Sequence, residues 1–244
     1  MTFDWVFLRQ TAGAVLAGIP VTLCVILVSL AAAYPLGFFL AVGRMRNGRV
    51  SSRLIAVFVS SMRGVPMIVQ IYVIYTVMPM ALDAWLRGIG SPLNVYDISP
   101  LLYALILFAA NTTASFSEIF RSALTAVGAG QLEAALACGM SEGQAYRRIL
   151  CPQMFRAASA NLCNSTVDMV KNTSLVFYMS VRDIMGIIKT EAGISYDFFE
   201  GYTLAFLLYL VICFAVQEIY RWFGRKPARR RVALERGRTD RAAY

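Results

Sequence analysis

The chain has 244 residues, of which 58% are hydrophobic and only 15% are charged. This composition is too apolar for a water-soluble domain of that length and predicts a membrane protein. The formal net charge of +9 does not indicate a nucleic-acid partner, because the basic residues are concentrated in a few loops and the C-terminal tail, where membrane topology and contact with anionic lipid account for them.

Five stretches are long and apolar enough to cross about 30 Å of hydrocarbon as helices. In chain order the predicted spans cover residues of about 16–43, 54–80, 101–121, 157–179 and 200–222. Pro79 is interpreted as the end of the second span. The fourth is the weakest because Asp168 and Lys171 interrupt it. The predicted fold class is an all-α, multi-pass membrane protein.

Arginines set the orientation of these spans. They cluster between the first and second spans, between the third and fourth, and after the fifth, whereas the opposite connections carry few. By the positive-inside rule, residues 1–15 form a periplasmic N-terminal segment and the C-terminus is cytoplasmic. The tail, residues 223–244, is basic, poor in apolar groups and predicted to be largely disordered.

The third connection, residues 122–156, is cytoplasmic and has helical signals of its own. Residues 131–138 are strong helix formers, and Gly139 follows where a left-handed cap would end a helix. Ser141 with Gln144 matches a capping box, and Tyr146 and Ile149 belong to an apolar stripe. Pro152 is expected to limit the second helix. The pattern predicts two short helices joined at a glycine; from this pattern alone, a hairpin resting on lipid is as good an interpretation as a docking element.

Several chemistries are disfavoured by what the sequence lacks. It contains no histidine, and its five cysteines form no CxxC pair, which disfavours zinc, haem held by histidine and a Cys-His nucleophile, and no metal site is predicted. The phosphate-binding pattern G-x-x-x-x-G-K-[ST] is also absent. If nucleotide powers the protein, another polypeptide hydrolyses it.

Ionisable residues at membrane depth are costly and usually face a bundle interior, a water-filled cavity or each other. Arg63, Glu118, Asp168 and Lys171 are of this kind, and both a structural ion pair and a pathway role are open for them. Arg63 precedes Gly64 and Pro66, which should kink the second span and free carbonyls to meet a polar solute.

The motifs stand in an order that resembles the permease subunits of bacterial binding-protein-dependent ABC importers, in the branch for polar amino acids (histidine, glutamine, arginine and opines). The resemblance covers residues of about 14–222. It is carried by Gly18 with Thr22 and Leu23; Arg63, Gly64, Val65 and Pro66 with Gln70; Ser117, Glu118 and Ile119 with Arg121; Gly130, Gln131, Glu133, Ala134 and Ala135, then Gly139 and Ile149; Pro152 and Gln153; and Lys171, Asn172, Thr173, Ser174 and Leu175. Cys138 and Cys151 depart mildly from the usual apolar residues.

The resemblance implies the type I ABC importer permease fold, with a cytoplasmic coupling loop that docks on the ATPase. It places in that coupling Glu133, Ala134, Ala135, Gly139, Ser141, Tyr146, Ile149 and Pro152. The residues predicted for the translocation pathway are Arg63, Gly64, Pro66, Gln70, Glu118, Arg121, Lys171, Asn172, Thr173 and Ser174.

The implied partners are two ABC ATPase subunits, a second permease that is identical or homologous, a periplasmic solute-binding protein and membrane lipid. The chain itself would bind no cofactor and would not be an enzyme, because ATP and Mg²⁺ would be used by the ATPase; the location would be the bacterial inner membrane. Two alternatives fit less well. A secondary transporter usually shows more spans and an internal repeat, and a membrane-embedded enzyme would need a nucleophile with a base or a metal cluster.

Overall fold

The structure, a computed structural model, describes residues 4–45 and 49–225. Within these ranges the chain is predominantly helical and contains no β-strand, so the predicted all-α class is confirmed. The α-helices are α1 Trp5–Met45, α2 Arg49–Gly64, α3 Met67–Gly88, α4 Pro100–Val127, α5 Ala129–Ala137, α6 Glu142–Ala145, α7 Cys151–Asn172, α8 Ile184–Ser195 and α9 Phe198–Arg225. A π-helical turn, Tyr146–Leu150, joins α6 to α7, and 3-10 segments cover Val95–Asp97 and Thr173–Met179.

Four of the described helices are long and apolar enough to cross a membrane. They are α1, α3, α4 and the part of α9 over Phe198–Phe223. The predicted span at residues 157–179 coincides with α7 and the 3-10 segment after it, which are helical but too polar to meet the same criterion. That the chain crosses the membrane here stays a prediction. The polar residues that keep α7 below the hydropathy criterion line a cavity.

The second predicted span is two helices rather than one. Val65 and Pro66 separate α2 from α3, because proline lacks an N–H donor and disfavours helical geometry in the residue before it. The interpretation of Pro79 as a helix end is wrong: α3 runs through Pro79 to Gly88. A proline inside a long apolar helix removes one hydrogen bond, which neighbouring helices can compensate.

Close helix packing at two glycines sets the position of α1. A Cβ atom at Gly37 would lie 2.9 Å from Cβ of Phe116 on α4, so only glycine permits this approach. At Gly18 it would lie 2.8 Å from the backbone of Asp183 and Ile184, where α8 begins. The long first helix is therefore held against α4 in its C-terminal half and against α8 in its N-terminal half.

Three apolar clusters follow from this packing. One joins α1, α3, α4 and α7 around Val25, Ile71, Leu107 and Val170. A second, the phenylalanine-rich cluster, contains Phe116 and Phe120 and includes residues of the predicted coupling loop. A third joins α1, α8 and α9.

The sequence patterns did not predict α8, which lies between the fourth and fifth predicted spans. Asp183 caps it, since its Oδ1 accepts a hydrogen bond from Gly186 N at 2.8 Å. An aspartate before an apolar run is a recognised helix start and was the available signal. At the other end, α9 extends to Arg225, so the first residues of the predicted disordered tail are helical, and residues 226–244 lie outside the described ranges.

Candidate functional site

Gly139 ends α5 in the way the sequence predicts. Its φ is +77°, in the left-handed region. Its N–H donates to the carbonyl of Leu136 at 2.9 Å, and Met140 N donates to the carbonyl of Ala135 at 3.1 Å. This pair of bonds is the Schellman arrangement, which satisfies the last carbonyls of a helix. No atom lies within 4 Å of the position that a Cβ would take, so the requirement for glycine is conformational and not steric.

The predicted capping box at the start of α6 is confirmed. Gln144 N donates to Oγ of Ser141 at 3.3 Å, and Ser141 N donates to Oε1 of Gln144 at 3.1 Å. These reciprocal bonds fix where the second short helix begins, and four residues separate it from the end of the first.

The predicted stop at Pro152 is wrong, because the helix continues. From Glu142 the chain passes through α6, the π-helical turn and α7 without a break, and Pro152 stands in the first turn of α7. Proline is tolerated there because the wider turn before it bonds differently: Cys151 N donates to the carbonyl of Tyr146, five residues back. The loop and the predicted fourth span are thus one continuous helical rod over residues 142–172.

The predicted coupling residues divide between a buried face and an exposed face. Ala135 is buried, as are Ala145 and Leu150, which are not in the predicted set; Tyr146 and Ile149 are partly buried and pack against the phenylalanine-rich cluster. The remaining predicted coupling residues are exposed, namely Glu133, Ala134, Gly139, Ser141 and Pro152. The buried face anchors the loop to its own bundle, and the exposed face is free to meet another molecule.

A concave surface on the exposed side was not assigned from the sequence. It encloses about 560 Å³ and is lined by Ser141, Gly143, Gln144, Arg147 and Arg148. Arg147 and Arg148 are both exposed. Their position on the helix face opposite the apolar stripe was the signal in the sequence. The loop is braced beside it, since Nε2 of Gln153 donates to Oε1 of Gln131 at 3.2 Å and ties α7 to α5.

Residues of α2, α4 and α7 line a polar cavity of about 520 Å³. It brings together Arg63, Glu118, Arg121 and Asn172 of the predicted pathway residues, with Asp168. Its other lining residues are Asn111, Thr112, Ser115, Ile119, Ser122, Asn161, Asn164, Ser165 and Met169. Asn161, Asn164, Asp168 and Asn172 recur at spacings of three or four residues, so the polar face of α7 was visible in the sequence but not recognised.

Glu118 is the centre of an ion-pair cluster. Nη1 of Arg44, at the end of α1, donates to its Oε2 at 2.6 Å, and Nε of Arg121 lies 3.2 Å from both carboxylate oxygens. The Glu118 side chain keeps 23% of its surface exposed. The cluster joins the C-terminal end of α1 to α4 and leaves part of the carboxylate accessible from the cavity.

Gln70 does not face the cavity. It is buried, and its Nε2 donates to the carbonyls of Met62 at 2.8 Å and Val65 at 2.7 Å. Asn111 completes the arrangement by donating to Gln70 Oε1 at 3.1 Å and to the Met62 carbonyl at 3.0 Å. The expectation that the break frees carbonyls for a solute is therefore wrong for these two carbonyls, because protein amides occupy them.

The other predicted pathway residues lie beside the cavity without lining it. Gly64 and Pro66 are exposed at the break between α2 and α3. Lys171 pairs with Asp168 at 3.3 Å, and both side chains are mostly exposed. The hydroxyls of Thr173 and Ser174 each donate to a backbone carbonyl three residues back, at 2.7 Å.

Comparison with known proteins gives one consistent family. Residues 33–229 match the family described as "Binding-protein-dependent transport system inner membrane component". The L-cystine transport system permease protein of Bacillus subtilis strain 168 is 31% identical over 228 residues, covering 93% of this chain and 91% of that protein. The octopine transport system permease protein of Rhizobium radiobacter is 34% identical over 220 residues, covering 90% and 88%.

The fold has solved counterparts as well. A crystal structure described as an amino acid ABC transporter with histidines superposes with a TM-score of 0.75 at 24% identity, covering 93% of this chain and 100% of that one. At this identity the likeness concerns the fold, and it agrees with the type I importer architecture that the resemblance implied.

Proposed function

Because this chain belongs to the family of inner membrane components of binding-protein-dependent transport systems, we propose that it imports a polar amino acid, or a related compound such as an opine, across the bacterial inner membrane. In such systems the permease, the ATPase and the solute-binding protein are separate subunits. The solute class is supported by relatives that carry L-cystine and octopine, and by a cavity suited to a zwitterion.

The observation that carries the solute class is the presence of both charge signs on one membrane-depth cavity. Arg63 and Asp168 line the same space of about 520 Å³ with several asparagines. An amino acid carries a carboxylate and an ammonium group, and burying either is costly unless an opposite charge or hydrogen bonds compensate it. Arg63 would meet the carboxylate, Asp168 the ammonium group, and the asparagines the remaining polar atoms.

The assembly we propose contains two copies of an ABC ATPase, a second permease that is identical or homologous, and a periplasmic solute-binding protein. This chain would bind no cofactor and have no enzymatic activity of its own; the ATPase would bind and hydrolyse ATP with Mg²⁺. The polar cavity lies at the surface of this subunit, between helices, so a second permease would close it into a pathway.

Coupling would work through the exposed face of α5 and α6. The concave surface with Arg147 and Arg148 would meet the ATPase, and closure of the ATPase dimer would push it. Because residues 142–172 form one continuous rod, a displacement at Ser141 would be transmitted to Asp168 and Asn172 without loss in a hinge. The Glu118 cluster would keep α1 and α4 together as the rod moves.

An ion-driven secondary carrier is the other function considered from the sequence. The family match over residues 33–229 and the named relatives give it no support.

The proposed solute class can be tested in the assembled transporter reconstituted in vesicles with its binding protein. Uptake of labelled arginine, histidine, glutamine, cystine and octopine would be compared for the wild type, Arg63→Gln and Asp168→Asn. We expect at least one of these solutes to be taken up, and each variant to reduce that uptake about tenfold or more, as expected for loss of one charge-assisted contact. Full uptake in both variants would show that the cavity is not part of the translocation pathway. If none of the five solutes were taken up, the proposed solute class would be contradicted.

A further inference from the structure

A second concave surface lies away from the polar cavity, between α1, α7 and α9. It encloses about 640 Å³. Its walls are mostly aliphatic and aromatic: Leu30, Tyr34, Phe155, Leu162, Ile219 and Phe223. Phe155, Ile219 and Phe223 are 44%, 55% and 64% exposed. We refer to it as the α1/α7/α9 groove.

The polar groups in the groove are satisfied except at its rim. The hydroxyls of Tyr34 and Tyr220 lie 2.7 Å apart, and Tyr220 also bonds to Thr166 at 2.8 Å. Ser159 donates to the carbonyl of Arg156 at 2.9 Å. The guanidinium of Arg156, which is exposed, forms no ion pair with any described residue. The groove thus has an apolar floor and one available cation.

The position along the helices places this cation at the cytoplasmic surface of the bilayer. Arg156 lies in the first turns of α7, next to the cytoplasmic loop, and Phe223 lies near the cytoplasmic end of α9. Leu162 is six residues further along α7, about 9 Å deeper toward the bilayer centre. The sequence that follows Phe223 adds Arg225, Lys226, Arg229, Arg230 and Arg231, so the positive charge of the chain is greatest at this end.

We propose that the α1/α7/α9 groove binds one anionic phospholipid of the inner leaflet. An acyl chain fits along Phe155, Leu162 and Leu30, and the phosphate meets Arg156 at the rim. Charge complementarity selects the occupant: a zwitterionic lipid would fill the same apolar walls, but its ammonium group would be repelled by Arg156. Basic pockets between helices on the cytoplasmic side are suited to such headgroups.

The test is native mass spectrometry of the detergent-purified transporter, permease and ATPase together, titrated with phosphatidylglycerol. Phosphatidylcholine with the same chains and phosphatidylglycerol with six-carbon chains serve as comparison lipids. We expect preferential binding of long-chain phosphatidylglycerol by the wild type. Arg156→Gln should weaken it about fivefold, from the loss of one surface cation near the headgroup.

Two groove-filling variants distinguish lipid binding in the groove from attraction by charge alone. Ser159→Trp and the milder Ser159→Leu keep Arg156 but occupy the space for the acyl chain, and both should also lower phosphatidylglycerol binding. Arg53→Gln removes another exposed cytoplasmic arginine and should leave binding unchanged.

Three results would overturn the proposal. Equal binding of phosphatidylcholine would indicate a general lipid contact. Unchanged phosphatidylglycerol binding in Arg156→Gln, or in both Ser159 variants, would show that the groove is not the binding site. Dissociation of the two permeases in the Ser159 variants, with lipid binding retained, would assign the groove to a second copy of the chain.

Discussion

Backbone geometry determines which residue type is tolerated at some positions of this protein, and burial determines it at others. Gly139 stands at φ +77° in open space, so a side chain there costs backbone energy and meets nothing within the subunit. Asp183 is the opposite case: it is almost fully buried and caps α8. The two residues therefore predict different phenotypes, loss of coupling for the first and a change in stability for the second.

Gly139→Asp should abolish ATP-coupled uptake while the protein still inserts into the membrane. A non-glycine residue in the left-handed region costs about 1 kcal/mol or more, which the fold can absorb, but the side chain would project from the exposed joint of α5 and α6. Uptake and membrane content would be measured together. Gly88→Asp, at an exposed glycine at the end of α3 with open space around it, is the matched control and should transport normally. Wild-type uptake by Gly139→Asp would contradict the proposed role of the joint.

Asp183 makes a pH-dependent contribution to stability. Burial raises the pKa of its carboxyl to about 6, against the hydrogen bonds from backbone N–H groups that lower it. The folded protein therefore binds this proton more tightly than the unfolded chain, so the contribution of Asp183 to stability falls as pH rises from about 4 to 6. Above that window the buried charge is a full cost.

Asp183→Asn should accordingly raise the melting temperature at pH 7.5 and leave it unchanged near pH 4, because the amide keeps an acceptor for Gly186 and carries no charge. Thermal unfolding at the two pH values measures this. Asp183→Ala, which loses the cap, should be less stable than Asp183→Asn at both. A less stable Asn variant at pH 7.5 would show that the charged carboxylate is favourable in its site.

At the scale of elements, the break between α2 and α3 and the rod over residues 142–172 are the two features that matter most. The side-chain amides of Gln70 and Asn111 stabilise the break by hydrogen bonds to its carbonyls and to each other. The rod passes through Pro152 by means of a π-helical turn. Side-chain hydrogen bonds hold the break between α2 and α3, whereas the rod over residues 142–172 is held by its continuous helical backbone.

Gln70→Leu should destabilise the folded protein by about 1–3 kcal/mol, because the Val65 carbonyl loses its side-chain donor and Asn111 loses its acceptor. Thermal unfolding of Gln70→Leu, Asn111→Leu and the double variant would show losses that do not add, since the two amides share one network. A normal melting temperature with a raised Michaelis constant for the solute would instead assign Gln70 to solute binding.

Inserting two glycines after Leu150 should separate ATP hydrolysis from transport. The insertion interrupts the rod between the coupling surface and the polar cavity, so the ATPase would still turn over but uptake would be lost. The same insertion after Leu93, in an exposed connection between α3 and α4, serves as control. Retained uptake in the Leu150 insertion would mean that the rod does not transmit the motion.

Local chemistry explains which of these elements could be predicted. The Gly139 cap and the Ser141 capping box depend on residues within five positions of each other, so sequence patterns were sufficient. The continuation through Pro152 depends on a π-helical turn, and α8 depends on contacts of Asp183 with Gly18 and Tyr209 from distant helices. Gln70 belonged to a recognised motif, but its partner Asn111 lies 41 residues away, and nothing in the motif indicates that the two amides meet.

In the whole molecule, the surface proposed for coupling and the polar cavity lie at different positions along one helical segment. The surface proposed for coupling is joined by the continuous helical segment over residues 142–172 to a cavity that carries both charge signs, and the Glu118 cluster holds α1 to α4 beside it. The cytoplasmic side is assigned from the clusters of arginine in the sequence by the positive-inside rule. Such a layout is suited to moving a small charged solute with energy supplied from the cytoplasmic side.

The most direct test of ATP-driven import uses vesicles that contain the complete transporter, with the binding protein outside and labelled amino acid added. Uptake would be followed with ATP inside the vesicles, with a non-hydrolysable analogue inside, and with an imposed proton or sodium gradient and no ATP. The account predicts accumulation only with ATP. Accumulation driven by a gradient without ATP would contradict it and would favour an ion-driven carrier.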